Sequence, residues 1–530
     1  MQPRHLPPPL SQSRPCGPAQ ARLWSGAALS PRAETGDRAC PLQPWAAALL
    51  VLVLVAVGCS PYQVRSLNRP EVPVSTTYHH ALDGEREIGR WWQEFNNPAL
   101  NTTVASALDN SLDLRQLWSR LTQAYAQARI EGAEVFPWVD LSGGAARTHQ
   151  VDRDPRDPFG GQAGSSTRIT HADRYFVSTG LSYEIDVWKR IAARRRAATL
   201  EYQASRQDLE ASALLLTGSV VDVWFILQEQ KALLALLQEQ IEISQELLDL
   251  TEVRFGVGAG SAVDVLQQRQ QLEATRAEIP LVRSRLNTTY NQLAVLLGTT
   301  PGALDTRIPD GVLPDLPPFP QLGEPATLLV SRPDLRSAQL RLQAADFRVA
   351  TAVAERLPRL VLDLSYEFSA RSFSTVFRQE VGSLVGNLVA PVIDGGLRRN
   401  QVVRHKALTQ ELLDRFGQQY LQALLEIEDA LVRERFQVEL IANLESQIGL
   451  ARSTLRESQS RYVNGLINYV TVLLAVQSLQ GLQRRLISER RFLLSNRAGL
   501  YRALGGHWTN ELTAPPSLQL AQVAAARIRP

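Results

Sequence analysis

Methionine is nearly missing from this chain: one occurs, at position 1. Cysteine is almost as scarce, and Cys16, Cys40 and Cys59 all lie near the N-terminus. A sulfur-ligated metal cluster and a disulfide framework are therefore not expected, and no intramolecular disulfide can form downstream of Cys59. Net charge is only +3 over 530 residues, so no global basic field favours nucleic acid as a partner. His79-His80, with His149 and His171 far away in sequence, lack metal-ligand spacing and read as loop residues. Beyond the N-terminal region no stretch offers the roughly 18 consecutive apolar residues of a transmembrane helix. Any membrane residence would then depend on barrel strands or on lipid. No nucleophile, base and orienting group cluster at motif spacing, so no catalytic residue, cofactor or metal is expected and an enzyme is the least favoured class.

The one long apolar run is Trp45 to Gly58, ending at Cys59. As a helix it spans about 21 Å, short of the roughly 30 Å hydrocarbon core, and it reads as the apolar region of a signal peptide. Ala56-Val57-Gly58-Cys59 resembles a bacterial lipobox, with Ala56 where Leu is usual. This makes Cys59 the expected lipidation site; the alternative is a plain signal peptide or anchor with an incidental cysteine. Ser60 after the cysteine fits onward export to the outer membrane. Residues 1–43, rich in Pro, Arg and Ala, are long for a leader and read as an over-extended start.

What the chain does contain is a repeat. Arg254-Phe-Gly-Val-Gly-Ala-Gly-Ser-Ala-Val-Asp-Val-Leu266 returns as Arg461-Tyr-Val-Asn-Gly-Leu-Ile-Asn-Tyr-Val-Thr-Val-Leu473, 207 positions later. The register needs no gap as far as Leu297-Gly298 against Leu504-Gly505, so the chain is a tandem duplication.

Along the mature chain, the segment after Cys59 is interrupted by Pro70 and Pro73 and reads as a loop. Leu100, Val104, Leu108, Leu112 and Leu117 predict a helix from about Ala99 to Arg129. Strands are expected over Phe136–Gly143 and Phe176–Val187, with a polar loop at Asp152–Gly164 between them. From Lys189 to Phe255, Ala213, Val220, Leu227, Leu234, Ile241 and Leu248 recur every seven residues. Leu209, Leu216, Val223 and Leu237 occupy the second seam position, so the pattern is a coiled coil. At about 1.5 Å per residue, the 50 or so residues before Arg254 reach roughly 75 Å. The glycines at 256, 258 and 260 break this helix, and Val263–Leu297 returns as its antiparallel partner. A phosphate-cradling loop is not supported there, since no strand precedes the glycines and no Lys-Ser/Thr follows. Arg190, Arg194, Arg195 and Arg196 read as a solvated or interfacial face at a helix start.

A Pro-rich linker at 301–325 separates the copies. The second copy predicts a helix over Ala326–Arg356, strands at Leu357–Leu364 and Gly382–Ile393 around a loop at Ser369–Arg378, a long helix over Leu397–Tyr462 and a return helix to Leu504. Four strands cannot close a barrel, and an open sheet edge is forbidden in lipid. Either the strands stay out of the membrane, or several chains each contribute four.

Several stretches together resemble the outer-membrane efflux proteins, the TolC-like channels, in their NodT-type lipoprotein subgroup. They are Cys59 with Arg69-Pro-Glu-Val-Pro73, Trp91-Trp92 with Phe95 and Asn97-Pro98, Asp109-Asn-Ser-Leu-Asp-Leu114, Arg332-Pro-Asp-Leu-Arg336, Pro391-Val-Ile-Asp-Gly-Gly396, and both repeat turns. The resemblance implies a mainly α fold with membrane β: long antiparallel coiled-coil hairpins, plus four strands per chain in a homotrimeric twelve-stranded barrel. It implies an exit duct of a tripartite efflux pump, lipid-anchored in the bacterial outer membrane and extending into the periplasm. The implied partners are a periplasmic adaptor, an inner-membrane efflux transporter and outer-membrane lipid. On that reading the domains are 1–58 (extension and signal peptide), 59–98 (lipidated segment), 99–300 (first repeat), 301–325 (linker), 326–506 (second repeat) and 507–530 (tail). The tips carry the adaptor-contact residues Arg254, Gly258, Gly260, Arg461 and Gly465. Asp264 matches a periplasmic gate position where an acidic ring selects cations, and in the second copy Thr471 and Leu474 stand where some relatives carry acidic residues. Asp264 also reads as a helix-start carboxylate serving the helix dipole. The alternatives are the outer channel of a type I protein-secretion system and a periplasmic coiled-coil structural lipoprotein without a pore.

Overall fold

The computed structural model describes residues 60–65, 72, 77–80, 89–153, 167–303 and 313–514. Cys59, the signal-peptide region and most of the polar loop at Asp152–Gly164 lie outside these residues.

Helices and strands follow each other twice in the same order. The first copy has α1 (Pro98–Asn110), α2 (Leu112–Ala133), β1 (Trp138–Arg153), β2 (Thr167–Ile185), α3 (Arg190–Gly256) and α4 (Ala262–Leu296). The second has α5 (Pro333–Ala354), β3 (Arg359–Ala370), β4 (Glu380–Val389), α6 (Leu397–Val463) and α7 (Tyr469–Leu504). Both long helices, α3 and α6, are 67 residues.

Two expected helices are broken. The helix over Ala99–Arg129 divides at Ser111, whose ψ of 124 is extended and whose hydroxyl accepts from Leu114 N, capping α2. The helix over Ala326–Arg356 divides at Arg332, extended because Pro333 follows and disfavours the helical region for its predecessor. Three strands run longer than expected, β1, β2 and β3 reaching 16, 19 and 12 residues, whereas β4, at 10, ends at Val389 short of the expected Ile393.

The heptad seams of α3 and α6 pack against the shorter helices rather than standing alone. An aromatic cluster of Trp91, Trp92, Phe95, Trp224, Phe225, Tyr501 and Trp508 joins the N-terminal segment to α3 and α7. Leu335, Leu342, Phe416, Tyr420 and Leu500 form the matching core of the second copy. The Pro-rich linker is docked where it is described. Arg497, buried, pairs with Glu434 and donates to the carbonyl of Pro318 at 2.9 Å, while Leu316 and Phe319 pack on the two cores.

The N-terminal strap is tied down as well. Tyr62 Oη and Arg65 N donate to the two oxygens of buried Asp346, each at 2.7 Å. Further along, Tyr78 is buried beside Leu322 and Tyr420, and His79 N donates to Glu428.

Candidate functional site: a two-faced sheet and a pair of clasped hairpin tips

The four strands form one antiparallel sheet in the order β1-β2-β3-β4, leaving β1 and β4 as open edges. Because successive side chains alternate faces, the register sorts them. Val139, Leu141, Leu181, Val177, Leu364, Leu362, Leu384 and Leu388 share one face. On the other stand Asp140, Ser142, Ser178, Ser182, Asp363, Ser365, Glu367 and Ser383, with several valines on β4. The polar face is internally bonded: Ser142 to Ser178 at 2.8 Å, Ser365 to Ser383 at 2.7 Å, and Ser182 and Asn387 both to Asp363. On the apolar side, Tyr366, Phe368 and Phe377 pack edge to face, and Tyr175 does so with Phe373, at the end away from the helices. Ten residues separate Ile185 from Tyr175, about 33 Å along a strand and about 24 Å vertically at the usual tilt, matching a barrel's apolar band. A sheet with one lipid-suited face, one water-suited face and two unpaired edges is a segment of a barrel.

At the helix side, the junction is rigid. The Asp186 carboxylate accepts from Ile191 N and Ala192 N, capping α3. Arg190, expected on a solvated or interfacial face, is buried and bidentate to Glu184 at 2.9 and 2.8 Å, because α2 and β2 close over it. Arg194 reaches Glu134 at 2.9 Å.

At the far end, the two repeat turns have matching backbones. Gly258 and Gly465 take φ of 77° and 70°, a conformation that favours glycine. Ala259 N bonds Arg254 O, and Leu466 N bonds Arg461 O, each closing the helix end in the same way. Gly260 lies so close to the chain that a Cβ there would stand 3.2 Å from Phe255 N.

Their side chains differ. Arg254 crosses to the other hairpin, where Nη1 donates to Val463 O at 2.7 Å and the guanidinium lies 4.6 Å from the Tyr462 ring centroid. Arg461, its counterpart, stays on its own helix and pairs with Glu457 at 2.7 Å. Asp264 occupies the third position of α4 and accepts from Ser261 N, while Ser261 Oγ accepts from Val263 N, a reciprocal cap. The same carboxylate faces Tyr462 Oη at 3.5 Å. Burial, then the Asp264 charge, push the Tyr462 phenol above its ordinary range. Thr471 and Leu474 are exposed, and Asn468 makes no side-chain cap.

Behind the turns runs a buried polar ladder that sequence reasoning missed. Tyr469 Oη bonds Gln268 Oε1, Gln268 Nε2 donates to Ser244 O at 2.6 Å, and Gln480 Nε2 reaches Ser244 Oγ at 3.2 Å. Gln271 and Gln477 extend it along α4 and α7. The available signal was the repeat itself, since Tyr462 and Tyr469 stand opposite Phe255 and Ala262.

The profile of the outer membrane efflux protein family matches residues 103–299 and 325–506 of this chain. The chain belongs to that family. It is 31% identical over 421 residues to the pyoverdine export outer membrane protein OpmQ of Pseudomonas putida, covering 79% of this chain and 88% of that one. It is 27% identical over 486 residues to the toluene efflux pump outer membrane protein TtgF of the same species, covering 89% and 98%. Among solved structures it superposes on the outer-membrane channel OprN with a TM-score of 0.77 at 25% identity, covering 86% of this chain and all of that one. Its fold is that of these channels, with helical hairpins below and four strands of a trimeric twelve-stranded barrel above, and it is an outer-membrane efflux channel rather than an enzyme.

Proposed function

We propose that the chain is the exit duct of a tripartite pump, carrying small molecules or drugs delivered by an inner-membrane transporter through a periplasmic adaptor. The observation that carries this reading is the joining of a two-faced strand sheet to paired hairpins whose long helices each measure 67 residues. At about 1.5 Å per residue such a helix is roughly 100 Å long, enough to carry the pore deep into the periplasm. The pore needs no energy source of its own, and cargo is chosen by the transporter.

On this reading the tips form both gate and docking end. Asp264 contributes charge to the gate, Thr471 takes its place in the second copy with Leu474 one turn further on, and Arg254, Gly258, Gly260, Arg461 and Gly465 lie on the surface offered to the adaptor. The division into residues 99–300 and 326–506, with a linker between, follows the same scheme. Cys59 carries lipid; it stands three positions before Tyr62, a reach of at most about 10 Å. Tyr62 is held at Asp346, eight residues before the strand-side end of α5. That anchorage holds Tyr62 about 12 Å along α5 from the helix end that leads into β3.

Purified protein should form heat-resistant trimers with single-channel conductance in planar bilayers, and cysteines introduced at Gly465 should cross-link to the cognate adaptor. A non-conducting protein would sink the duct, and cross-links confined to the strand end would sink the docking assignment. Mass spectrometry of the mature N-terminus should find a lipidated Cys59; an intact Met1 excludes the anchor.

A further inference from the structure

By sequence spacing alone His149 and His171 read as loop residues without metal-ligand spacing. They are instead direct cross-strand partners, His149 on β1 opposite His171 on β2. Their Nδ1 atoms lie 3.2 Å apart, and the ring centroids are 4.7 Å apart. From this geometry we propose a surface site for an imidazole-preferring divalent cation of the Zn2+, Ni2+ or Cu2+ class, with one such site on each chain of the trimer.

The first argument is the bite. Two nitrogens each about 2.05 Å from one metal are about 3.3 Å apart at a tetrahedral angle and about 2.9 Å apart at a right angle. The observed separation falls between these values, so both rings can ligate one ion through Nδ1 with little movement. Ligation at Nδ1 selects the tautomer with its proton on Nε2, which points away from the ion.

The second argument is location. The pair shares the face of Val139 and Leu141, four residues beyond Tyr175 on β2 and so past the apolar band. Both rings are exposed, so a hydrated ion can reach them and complete its coordination with water. One rung nearer the membrane, Arg147 holds Asp173 with contacts of 2.6 and 2.9 Å. That pair fixes the register beneath the histidines and keeps the Asp173 carboxylate occupied, leaving a two-histidine site.

The third argument is mechanical. Pairing between β2 and β3 ends at Tyr175 and Ala370, whereas β1 and β2 continue paired to Arg153 and Thr167. The histidines therefore sit on a two-stranded ribbon that projects beyond the four-stranded sheet. Such ribbons are marginal by themselves, and a metal bridging the two strands would clip this one shut.

The test is a Cu2+ titration of the full-length trimer in detergent after chelator treatment, followed by electron paramagnetic resonance. One equivalent per chain with two equatorial nitrogens is expected, and a His79→Ala/His80→Ala variant should retain it. Either His149→Asn or His171→Asn should weaken that binding by at least roughly 10- to 100-fold while the trimer stays intact. Zn2+ should compete for the site and raise the protection of the 147–151 amides against hydrogen exchange. The proposal fails if the titrations of the wild type and of the two Asn variants superimpose, or if the two-nitrogen signal vanishes in the His79/His80 variant instead.

Discussion

Replacing Arg254 by Met should part the two hairpin tips. The guanidinium donates to Val463 O at 2.7 Å and stacks 4.6 Å from the Tyr462 ring centroid. A hydrogen bond from a charged donor contributes about 1.5–3 kcal/mol, and a cation–π contact at an exposed site about 0.5–1 kcal/mol. Arg254 is only half-buried, which favours the lower ends of both ranges, about 2 kcal/mol per chain. That corresponds to roughly a 30-fold shift toward parted tips in each protomer. In planar bilayers the fraction of time spent in large-conductance openings should rise by at least that factor, and more if the three chains open together. Arg461→Met is the control, because the Arg461 side chain pairs with Glu457 on its own helix, and its loss should leave gating unchanged. An Arg254→Met trimer of unaltered conductance would refute the clasp, as would equal effects from the two substitutions.

Asp264→Asn keeps a side-chain acceptor for Ser261 N but removes the charge, whereas Asp264→Ala removes both. If the carboxylate sets ion selectivity, the reversal potential in a salt gradient should move equally in both variants; if it only caps α4, Ala alone should act, costing about 1 kcal/mol. Arg497→Ala leaves Glu434 buried and unpaired, with an expected loss of about 3–5 kcal/mol seen as a large fall in the trimer's thermal stability. A well-packed Arg497→Leu/Glu434→Leu pair should recover much of it. The Tyr62 phenol is pushed up to about 12 by burial, then by its bond to Asp346. The folded chain therefore holds that proton where the unfolded chain loses it, so the strap's contribution is intact below about pH 10 and lost as pH rises to about 12. Proteolysis of the strap should increase over that window, and Tyr62→Phe should abolish the pH dependence.

The helical part of this molecule was legible because burial repeats with the helix. Heptads in α3 and α6 set their limits to within a residue or two of the observed Arg190–Gly256 and Leu397–Val463. Breaks at Ser111 and Arg332 leave no mark on the periodicity because apolar spacing continues across them, and only a cap or a following proline signals the change of direction. The first three strands extend past their sequence signal because their apolar face needs no strong pattern: Gly143, Gly144, Ala145 and Ala146 interrupt the alternation in β1. His149 and His171 stand 22 residues apart, and only a defined hairpin register makes them neighbours. At the tips, the family resemblance singles out Asp264 but not its partner Tyr462. Cross-hairpin contacts depend on how α3 and α6 pack, and no local spacing encodes that.

The equality of α3 and α6 sets a tolerance on the whole assembly. With both helices 67 residues long, the two tips of the chain end side by side, close enough for Arg254 to donate to Val463 O at 2.7 Å. Inserting a single residue into either helix would advance its tip by about 1.5 Å and turn it by about 100°, swinging Arg254 or Tyr462 away from the other. The strand pairs, at 16 and 19 residues against 12 and 10, are not matched in this way, and β1 and β2 stay paired well beyond the end of the β2–β3 ladder. The molecule is built to a gauge at one end and is free in length at the other.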